Sequence, residues 1–514
     1  MNFSFLKRPI VLALIAFFFF ANPGSAQTNV RAFDSGRLTR LETVFPTIQK
    51  MFEDYARSHK FPSVVFGIVS EGELVYTGSW GFADIEKKIP ASATSLYRIA
   101  SMSKSFTAMA ILRLRDEGKL RMDDPVSDYI PEMKNAKYLT SDAPAITVRD
   151  LMMHAAGFPE DNPWGDRQLD IADSTFTRWM KEGFSYSNVA GIAYEYSNTG
   201  FALLGRIISN VSRMKYEDYI TANILRPLGM NHTTFEFSDI PSNEFAKGYR
   251  WLNGKWELQP ILHHGAYGAM GGMISSIEDF SKYMAFQLNA WPPRSGAESG
   301  PVKRSSVREM QHPWNFASLI PDYNIQPGNK CAVANAYGYG LRWIRDCKER
   351  TFIGHSGGLP GYGSDWKILA DYDIGIVSFS NLTYGAPGLL NMQVLDTLIT
   401  LAKLEKRKTA ASQILEKRKS QLVSILPDWK INDAANIFAD NFFLDYSIDS
   451  LKKEAVSLFK RMGKIKSVSP VIPENNLRGY FIIHGEKDDL RIDFTLSPEH
   501  DPKIQEYHIG VSNK

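Results

Sequence analysis

The chain has 514 residues, of which 44% are hydrophobic and 22% charged, so it can form a large core and two domains and is not extensively disordered. Its 59 basic and 56 acidic residues give a formal charge of only +3. No basic stripe with interleaved aromatic residues occurs, which argues against a nucleic-acid-binding protein.

The N-terminus has the pattern of an export signal, which we place at residues 1–26. Lys7 and Arg8 form a basic segment, residues 9–21 are apolar, and small residues at the end of the segment allow cleavage after Ala26. The apolar run is short for a membrane span, and no Cys follows it that would carry a lipid. We expect an exported protein, periplasmic or secreted, with no transmembrane span after cleavage. An uncleaved membrane anchor is the alternative.

Two predicted hairpins frame the first domain. VVFGIVS and LVYTGSW, which are separated by residues 71–73, predict the first hairpin. WKILADYDIGIVSFSN predicts a second hairpin that turns at residues 371–373. Helical patterns and loops lie between them. We therefore expect an α/β (α+β) domain over residues 43–402. Its antiparallel sheet would be assembled from both ends of this range and flanked by helices, with a mainly helical region inserted.

A candidate nucleophile lies in the segment Ser101-Met102-Ser103-Lys104. Positions i and i+3 share one face of a helix, so the Ser101 hydroxyl and the Lys104 amine would lie side by side. The residues that follow are apolar nearly all round, which predicts a buried helix and a dry setting that lowers the pKa of Lys104. Ser101 would stand at the helix N-terminus, where free N–H groups favour developing negative charge.

The Ser-x-x-Lys spacing alone is weak evidence for catalysis. The same spacing begins at Ser4, Ser212, Ser364, Ser450 and Ser457. Only the Ser101 copy opens a segment that is apolar on nearly all sides.

A second ambiguous pattern is Tyr-Ser-Asn, which occurs at Tyr186 and again at Tyr196. Either copy alone would be read as a turn.

The two cysteines of the chain are Cys331 and Cys347. In an exported protein they can form one disulfide, and closing a loop of this length stabilises a fold by roughly 3 kcal/mol. Two separate buried thiols are the alternative, and the spacing alone favours neither. No Cys/His spacing typical of zinc occurs, so the sequence predicts neither a metal site nor a cofactor.

The last part of the chain predicts a second unit. Residues 403–424 are charged and lack a wide apolar face, which favours an exposed helix or linker. Within residues 425–514, SIDSLKKEAVSLFKRMG predicts an amphipathic helix that ends at Gly463. LRIDFTL alternates strictly, and YFIIHG and EYHIGV are further strand candidates. We expect a small α+β domain that resembles cystatin-like or nuclear-transport-factor-like folds.

Seven segments resemble, in the family's order, the serine β-lactamase and penicillin-binding protein superfamily. They resemble most the branch of class C β-lactamases, D-Ala-D-Ala carboxypeptidases, D-aminopeptidases and esterases. The segments are YRIASMSKSFTAMAILRLRDEGKLRMDDPVSDYIP, ITVRDLMMHAAGFP, YEYSNTGFALLGRII, LRPLGM, GGMISSIEDFSKYM, YGYGLRW and GHSGGLPGY. The resemblance covers residues 43–400. It implies a β-lactamase/transpeptidase-like fold and hydrolysis through an acyl ester on Ser101, with Lys104 as a proton carrier.

The resemblance also selects between the two Tyr-Ser-Asn copies. In the family this element precedes a helix that begins like GFALLG, and only the Tyr196 copy has that sequel. The resemblance therefore implies that Tyr196 shares the proton work with Lys104, and that Asn198 contacts the substrate and Lys104. Tyr186 is then a loop residue, and His154 has a structural role.

One element departs from the family. Where the family usually has Lys-Thr-Gly on a strand, this chain has His355-Ser356-Gly357. The resemblance implies that the N–H groups of Ser101 and Gly358 form an oxyanion hole beside it. A histidine is mostly neutral near pH 7, so it weakens the expectation of β-lactam-type carboxylate binding. The second His-x-Gly, which starts at His263, precedes the Gly-Gly segment and does not fit the role.

The function expected from the sequence is that of an exported serine hydrolase. Its substrates would be D-amino-acid peptides, small esters or amides, or β-lactams. The alternative is a non-catalytic scaffold or cell-wall peptide-binding protein with the same fold. We expect residues 159–170 and 319–330 to be loops that shape the pocket. The sequence does not specify an oligomeric state.

Overall fold

The structure, a computed structural model, describes residues 36–238, 240–407, 409–431 and 435–512. The expected export signal lies outside these residues. Within the described ranges, no helix combines the length and apolar character that a membrane span requires.

The strands fall into one large sheet, two short two-stranded pairs and one C-terminal sheet. The strands are β1 (Ser63–Ser70), β2 (Glu73–Asp84), β3 (Ile89–Pro90), β4 (Tyr97–Arg98), β5 (Tyr249–Leu252), β6 (Lys255–Leu258), β7 (Ile274–Ser275), β8 (Asn315–Gln326), β9 (Asn329–Tyr337), β10 (Arg342–Asp346), β11 (Thr351–Leu359), β12 (Tyr362–Leu369), β13 (Ile374–Ser380), β14 (Ile465–Val468), β15 (Ile472–Pro473), β16 (Arg478–Gly485), β17 (Asp489–Leu496) and β18 (Ile504–Val511).

The helices lie between and after these strands. The α-helices are α1 (Arg37–Glu42), α2 (Phe45–Ser58), α3 (Ser103–Asp116), α4 (Val148–Met152), α5 (Asp173–Glu182), α6 (Asn198–Ser212), α7 (Tyr216–Ile220), α8 (Gly268–Gly271), α9 (Ile277–Asn289), α10 (Arg304–Met310), α11 (Gly388–Leu401), α12 (Gln413–Ile425), α13 (Phe442–Asp445) and α14 (Ile448–Met462). A π-helix, Thr221–Leu225, continues α7, and short 3₁₀ turns include Ala100–Met102 and Gly165–Gln168.

The large sheet is antiparallel, with strand order β3-β2-β1-β13-β12-β11-β10-β9-β8. Both predicted hairpins are present, and β1 from the first pairs with β13 from the second. The sheet is therefore assembled from both ends of the domain, as the sequence predicts. Glu71 and Gly72 both have positive φ, which matches the twist that a two-residue hairpin turn requires.

The sheet separates two cores because alternate side chains of each central strand point to opposite faces. In β1, Val65 and Val69 pack with the inserted helices, whereas Val64, Phe66 and Ile68 pack against α2 and α11. Every residue of β1 is buried. The mainly helical region predicted between the hairpins contains α3 to α10, so the expected fold class is confirmed.

The segment expected to be a loop at residues 319–330 is instead a pair of strands. It forms the end of β8 and the start of β9, at the outer edge of the large sheet. Most of β8 is exposed or half-buried. An edge strand that faces solvent needs no apolar alternation, so the sequence carries little signal for it.

The C-terminal residues form a separate antiparallel sheet, β14-β16-β17-β18, with β15 paired to β16. Its apolar face packs against α14, which ends at Gly463 as predicted. Helix α12 differs from the exposed helix or linker expected at residues 403–424. Its Leu415, Leu422 and Ile425 are buried in the same C-terminal core, because three apolar positions on one face suffice for a narrow packing stripe.

Candidate active site

Ser101 lies in the 3₁₀ turn Ala100–Met102, directly before helix α3. Ala100 has a φ of 50°, an unusual backbone for a residue with a side chain. The turn is held by Ser103, whose hydroxyl donates to the Ala100 carbonyl at 2.7 Å and accepts from the Met273 N–H at 3.1 Å. The nucleophile candidate is thus anchored to the segment that follows α8.

Lys104 lies one turn after Ser101 and is fully buried. Its Nζ is 3.0 Å from Ser101 Oγ, 2.7 Å from Asn198 Oδ1 and 2.9 Å from the Met270 carbonyl oxygen. The amine therefore has three polar neighbours at hydrogen-bond distance. The pairing of Ser101 with Lys104 that the helical spacing predicts is present in the structure.

The three neighbours of Lys104 fit both protonation states of its amine, because an ammonium donates to all three of them, Ser101 Oγ included. A neutral amine has two N–H donors and one lone pair, while Asn198 Oδ1 and the Met270 carbonyl can only accept. The lone pair is then left to accept the Ser101 hydroxyl proton. Burial lowers the pKa of Lys104 to about 7, although the negative charges of Asp166 and Asp161 act in the opposite direction. A substantial share of the amine is therefore free to act as a base near neutral pH.

Asn198 is held in place by the loop at residues 159–170. Its Nδ2 donates to Asn162 Oδ1 at 2.7 Å, which turns its Oδ1 toward Lys104. Asp161 accepts from the Asn198 N–H at 2.6 Å and from the Thr199 N–H at 2.8 Å, at the N-terminus of α6. A carboxylate at a helix N-terminus stabilises the helix and here also fixes the amide that contacts Lys104.

Tyr196 closes the other side of the cluster. It is buried, and its ring centroid is 4.8 Å from Lys104 Nζ. Burial raises the pKa of Tyr196 well above its ordinary value, against the effects of the Arg342 charge and of Ser101. The phenol is therefore protonated near neutral pH and can donate to an adjacent oxygen.

His154 packs beneath this phenol and does not reach Ser101. Its ring centroid is 4.3 Å from that of Tyr196, and its Nδ1 accepts from the Ser197 N–H at 3.1 Å. Burial, together with the charge of Lys104, holds the pKa of His154 well below its usual range. His154 is a neutral packing residue in this arrangement, in keeping with the structural role predicted for it.

Strand β11 brings Gly357 of the His-Ser-Gly-Gly element to the turn that holds Ser101, and the next residue, Gly358, to Tyr384. A Cβ on Gly357 would collide with the Ile99 carbonyl and with Ser364 Oγ, so only glycine lets the strand approach the Ser101 turn. Tyr384 covers Gly358, since a Cβ built there would lie 2.7 Å from the Tyr384 ring. The oxyanion role of the Gly358 and Ser101 N–H groups stays a prediction.

His355 is nearly fully buried and neutral in the structure. Its Nδ1 lies 2.5 Å from the Ser356 carbonyl oxygen, which only accepts, so the proton is on Nδ1. Its Nε2 then accepts from the Tyr337 hydroxyl at 2.8 Å. Burial, with the charge of Arg342, lowers the pKa of His355 well below its usual range. His355 therefore brings no positive charge to the site, and Ser356 is the more accessible residue.

Arg342 is a site residue that the sequence analysis did not identify. It is exposed at the start of β10, next to β11, and its guanidinium carbon is 5.5 Å from the Tyr196 ring centroid. Arginines are frequent in this sequence, and only the pairing of β10 with β11 places this one beside Tyr196. The signal available in the sequence was its position inside the YGYGLRW segment.

Asp166 and Tyr384 form a second unpredicted pair at the site. Asp166 lies in the 3₁₀ turn Gly165–Gln168 and is buried, and burial of Tyr384 acts together with the Asp166 charge to raise the pKa of Tyr384. Burial raises the pKa of Asp166 to about 6, and the charge of Lys104 opposes that rise. The pair connects the loop at residues 159–170 to the residue that covers Gly358.

The other sequence candidates lie elsewhere. Tyr186 packs against Phe158 and Tyr138 in a loop, and His263 binds Glu236, with His263 Nδ1 3.0 Å from a Glu236 carboxylate oxygen. Cys331 and Cys347 are joined as a disulfide between β9 and the end of β10. Within the part of the chain that the structure describes, no group of three His, Cys, Asp or Glu side chains is placed to bind a metal ion.

Comparisons with known proteins agree with this architecture. A family model described as Beta-lactamase matches residues 48–399. Protein flp from Staphylococcus aureus (strain MW2) is 31% identical over 382 residues, which are 73% of this chain and 70% of the other. Beta-lactamase-like protein 2 from Dictyostelium discoideum is 27% identical over 370 residues, which are 69% of this chain and 63% of the other.

Among solved structures, the octameric penicillin-binding protein homologue from Pyrococcus abyssi has a similar fold. The TM-score is 0.58 at 21% sequence identity, over 91% of this chain and 100% of the other. The family match and the relative at 31% identity confirm the resemblance found in the sequence. The chain belongs to the Beta-lactamase family and has the serine hydrolase fold of the β-lactamase and penicillin-binding protein superfamily.

Proposed function

We propose that this protein is an exported serine hydrolase that forms an acyl ester on Ser101 and releases a leaving group that carries a carboxylate. The observation that carries this proposal is the set of contacts around Lys104, with two obligate acceptors and the Ser101 hydroxyl at its amine. In the neutral amine, which the lowered pKa of Lys104 makes accessible, that set leaves the lone pair directed at the Ser101 hydroxyl. Export rests on the signal pattern at residues 1–26.

In the acylation step, Ser101 Oγ bonds to the carbonyl carbon of the substrate, and its proton passes to Lys104 Nζ. The bond from that carbon to the leaving-group oxygen or nitrogen then breaks. The leaving atom receives the proton through the Tyr196 hydroxyl, so both residues return to their starting protonation states. A water molecule repeats the sequence in reverse and frees Ser101.

The leaving group would lie on the Tyr196 side of Ser101, because the phenol is the proton donor to the departing atom. Arg342 stacks over the same phenol and is exposed. It supplies the positive charge that His355, being neutral, does not. Arginine binds a carboxylate through two parallel hydrogen bonds, so we assign the leaving-group carboxylate to Arg342, with the Ser356 hydroxyl beside it.

The proposal is tested by a substrate screen on the mature protein. The panel contains p-nitrophenyl esters, D-amino-acid anilides and nitrocefin, each measured on wild-type protein and on the Ser101→Ala variant. We expect turnover of at least one ester or amide that depends on Ser101. Binding of substrate analogues without any turnover, in folded protein, would instead support the non-catalytic peptide-binding function.

Acylation should depend on pH through Lys104. Since the amine must be unprotonated and its pKa is lowered to about 7, the rate should rise as pH increases through 7 and level off above it. The measurement is kcat/KM for a neutral ester between about pH 5 and 9, a range in which the substrate does not titrate. A rate that is flat, or that falls as pH rises through 7, would contradict the assigned base.

The Asp166→Asn variant provides the control for this profile. Removing the Asp166 charge removes an interaction that favours protonated Lys104, so the midpoint of the profile should move to lower pH. An unchanged midpoint would mean that the titrating group is not Lys104.

Arg342→Ala should selectively lower kcat/KM for substrates whose leaving group carries a carboxylate. Charge-assisted hydrogen bonds are worth about 1.5–3 kcal/mol, so kcat/KM for such substrates should fall by roughly 10- to 100-fold. Uncharged esters should change by less than about threefold because they make no such contact. Arg345→Ala, an exposed arginine on the same strand, is the matched control and should behave like wild type. Equal losses for charged and uncharged substrates would refute the role of Arg342.

A further inference from the structure

A cavity of about 260 Å³ adjoins the catalytic cleft, and we call it the β11 pocket. It lies on the α11 side of the large sheet, between β10, β11, β12 and the first turn of α11. Arg342, His355 and Ser356 line it, and Arg342 and His355 also lie beside the Tyr196 ring of the cleft described above. The pocket is therefore continuous with the position assigned to the leaving-group carboxylate.

The floor of the β11 pocket is a buried ion pair. Lys367 Nζ lies 2.7 Å and 2.6 Å from the two carboxylate oxygens of Asp365, and Asn391 Nδ2 donates to Asp365 Oδ1 at 2.8 Å. Both charged residues are nearly inaccessible to solvent. Lys367 is thus neutralised by its own partner, so Arg342 is left as the uncompensated charge in the lining. The free N–H groups in the first turn of α11 add partial positive charge.

The walls of the β11 pocket are mostly apolar. They are formed by Tyr323, Ile344, Phe352, Leu389 and Met392. A ligand site for a drug-sized molecule has a volume of about 300–1,000 Å³, so this cavity suits a smaller group such as one amino-acid side chain. Apolar walls favour a hydrocarbon chain, and the net positive charge disfavours an ammonium group.

The distance from the nucleophile also fits a single residue. In strand β11, Gly357 packs against the Ile99 carbonyl and Ala100 of the Ser101 turn, and the preceding residue, Ser356, lies in the lining of the pocket. One residue of a strand advances about 3.4 Å, which is also the advance of one residue of an extended substrate. A leaving group whose carboxylate binds Arg342 and Ser356 would therefore have its side chain at the pocket entrance.

We propose that the β11 pocket binds the side chain of the leaving group, and that this side chain is an unbranched, uncharged chain of about four carbons on a 2-amino or 2-hydroxy acid. This inference rests on the proposed function and adds the identity of the departing residue. Alanine would leave the pocket empty. A lysine side chain would fill it but place a second cation beside Arg342 and Lys367.

The test compares substrates that share one acyl group and differ in the leaving group, which is alanine, norleucine or lysine. Each leaving group is attached as the amide and, in a second series, as the ester of the corresponding 2-hydroxy acid. Both configurations of each are measured. One extra methylene in an apolar pocket changes kcat/KM by about tenfold or more, so kcat/KM for the norleucine leaving group should exceed that for alanine by at least that factor. It should also exceed kcat/KM for lysine, whose side chain has the same four carbons and a terminal ammonium. Similar values for alanine and norleucine, or a preference for lysine, would overturn the proposal.

Two variants separate failure of the pocket from failure of the catalytic site. Leu389→Trp narrows the pocket and should lower kcat/KM for norleucine by at least about tenfold while sparing alanine. Leu401→Trp, at the exposed end of the same helix, should leave both unchanged. In parallel, a fluorophosphonate tests Ser101 directly. If Ser101 is labelled but the substrates of the series are turned over at equal rates or not at all, the pocket assignment alone is refuted. If Ser101 is not labelled, the proposed function is refuted.

Discussion

Replacing Ser101 with alanine is expected to lower kcat by a factor on the order of 10⁶, the loss typical of removing a nucleophile from a serine hydrolase. The hydroxyl oxygen is the atom that forms the ester, and no neighbouring side chain can take its place. Lys104 and Tyr196 would keep their other contacts, so the fold should survive. The measurement is turnover of the best ester found in the screen, with thermal unfolding as the test of folding.

Ser105→Ala is the matched control for that variant. Ser105 is also buried on α3, but its hydroxyl donates to the Met102 carbonyl at 2.9 Å and is not one of the hydrogen-bond partners of Lys104 Nζ described above. We expect its activity to stay within about tenfold of wild type, since one neutral hydrogen bond is worth roughly 1 kcal/mol. Retention of more than a trace of turnover by Ser101→Ala would show that another residue is the nucleophile.

Lys104→Ala is expected to slow acylation by about 10²- to 10⁴-fold, the range that general acid–base catalysis contributes. The variant removes the lone pair that accepts the Ser101 proton. It also leaves Asn198 Oδ1 and the Met270 carbonyl without their donor, so a modest loss of stability should accompany the loss of rate. The rate of fluorophosphonate labelling measures acylation without depending on a particular substrate.

Two further variants make the Lys104 result specific. Lys104→Met keeps much of the length and volume of the side chain but has no amine, and it should be as slow as Lys104→Ala. Lys119→Ala, an exposed lysine that follows the same helix, should label at the wild-type rate. Fast labelling of Lys104→Met would show that the amine is not the base and that the alanine variant fails for structural reasons.

Those parts of the fold with strict periodicity could be predicted from the sequence. The hairpins β1–β2 and β12–β13 show alternation or continuous apolar runs with turn residues, and the structure confirms them. Strand β17 alternates because only one of its faces is buried. By contrast, β8 lies at a sheet edge, where solvent on one side removes the need for apolar alternation.

The candidate site likewise has a part that could be predicted from the sequence and a part that could not. Ser101 and Lys104 are neighbours because they are three positions apart on one helical turn, so their contact follows from the sequence. The contact of Lys104 with Asn198 required the family order of segments. Asp161, Asp166 and Arg342 come from a loop and a strand start without periodic pattern, and only the folded chain brings them to the nucleophile.

Arg342 also changes how the His-Ser-Gly-Gly element is understood. From the sequence, histidine in place of lysine weakens carboxylate recognition, because the lysine's charge is lost. In the structure His355 is a buried neutral residue that bonds Tyr337 and its own strand, and the charge lies on the adjacent strand. We infer that the cation has moved from β11 to β10, which keeps the leaving-group side of the site positive.

The central claim is that Ser101 is an acylated nucleophile assisted by an unprotonated amine, and covalent labelling tests it most directly. Folded mature protein is treated with a fluorophosphonate, and its intact mass and the modified peptide are determined. The account predicts one adduct per chain, on Ser101, that forms faster as pH rises through 7. No adduct in folded protein, or an adduct on any other residue, would contradict it.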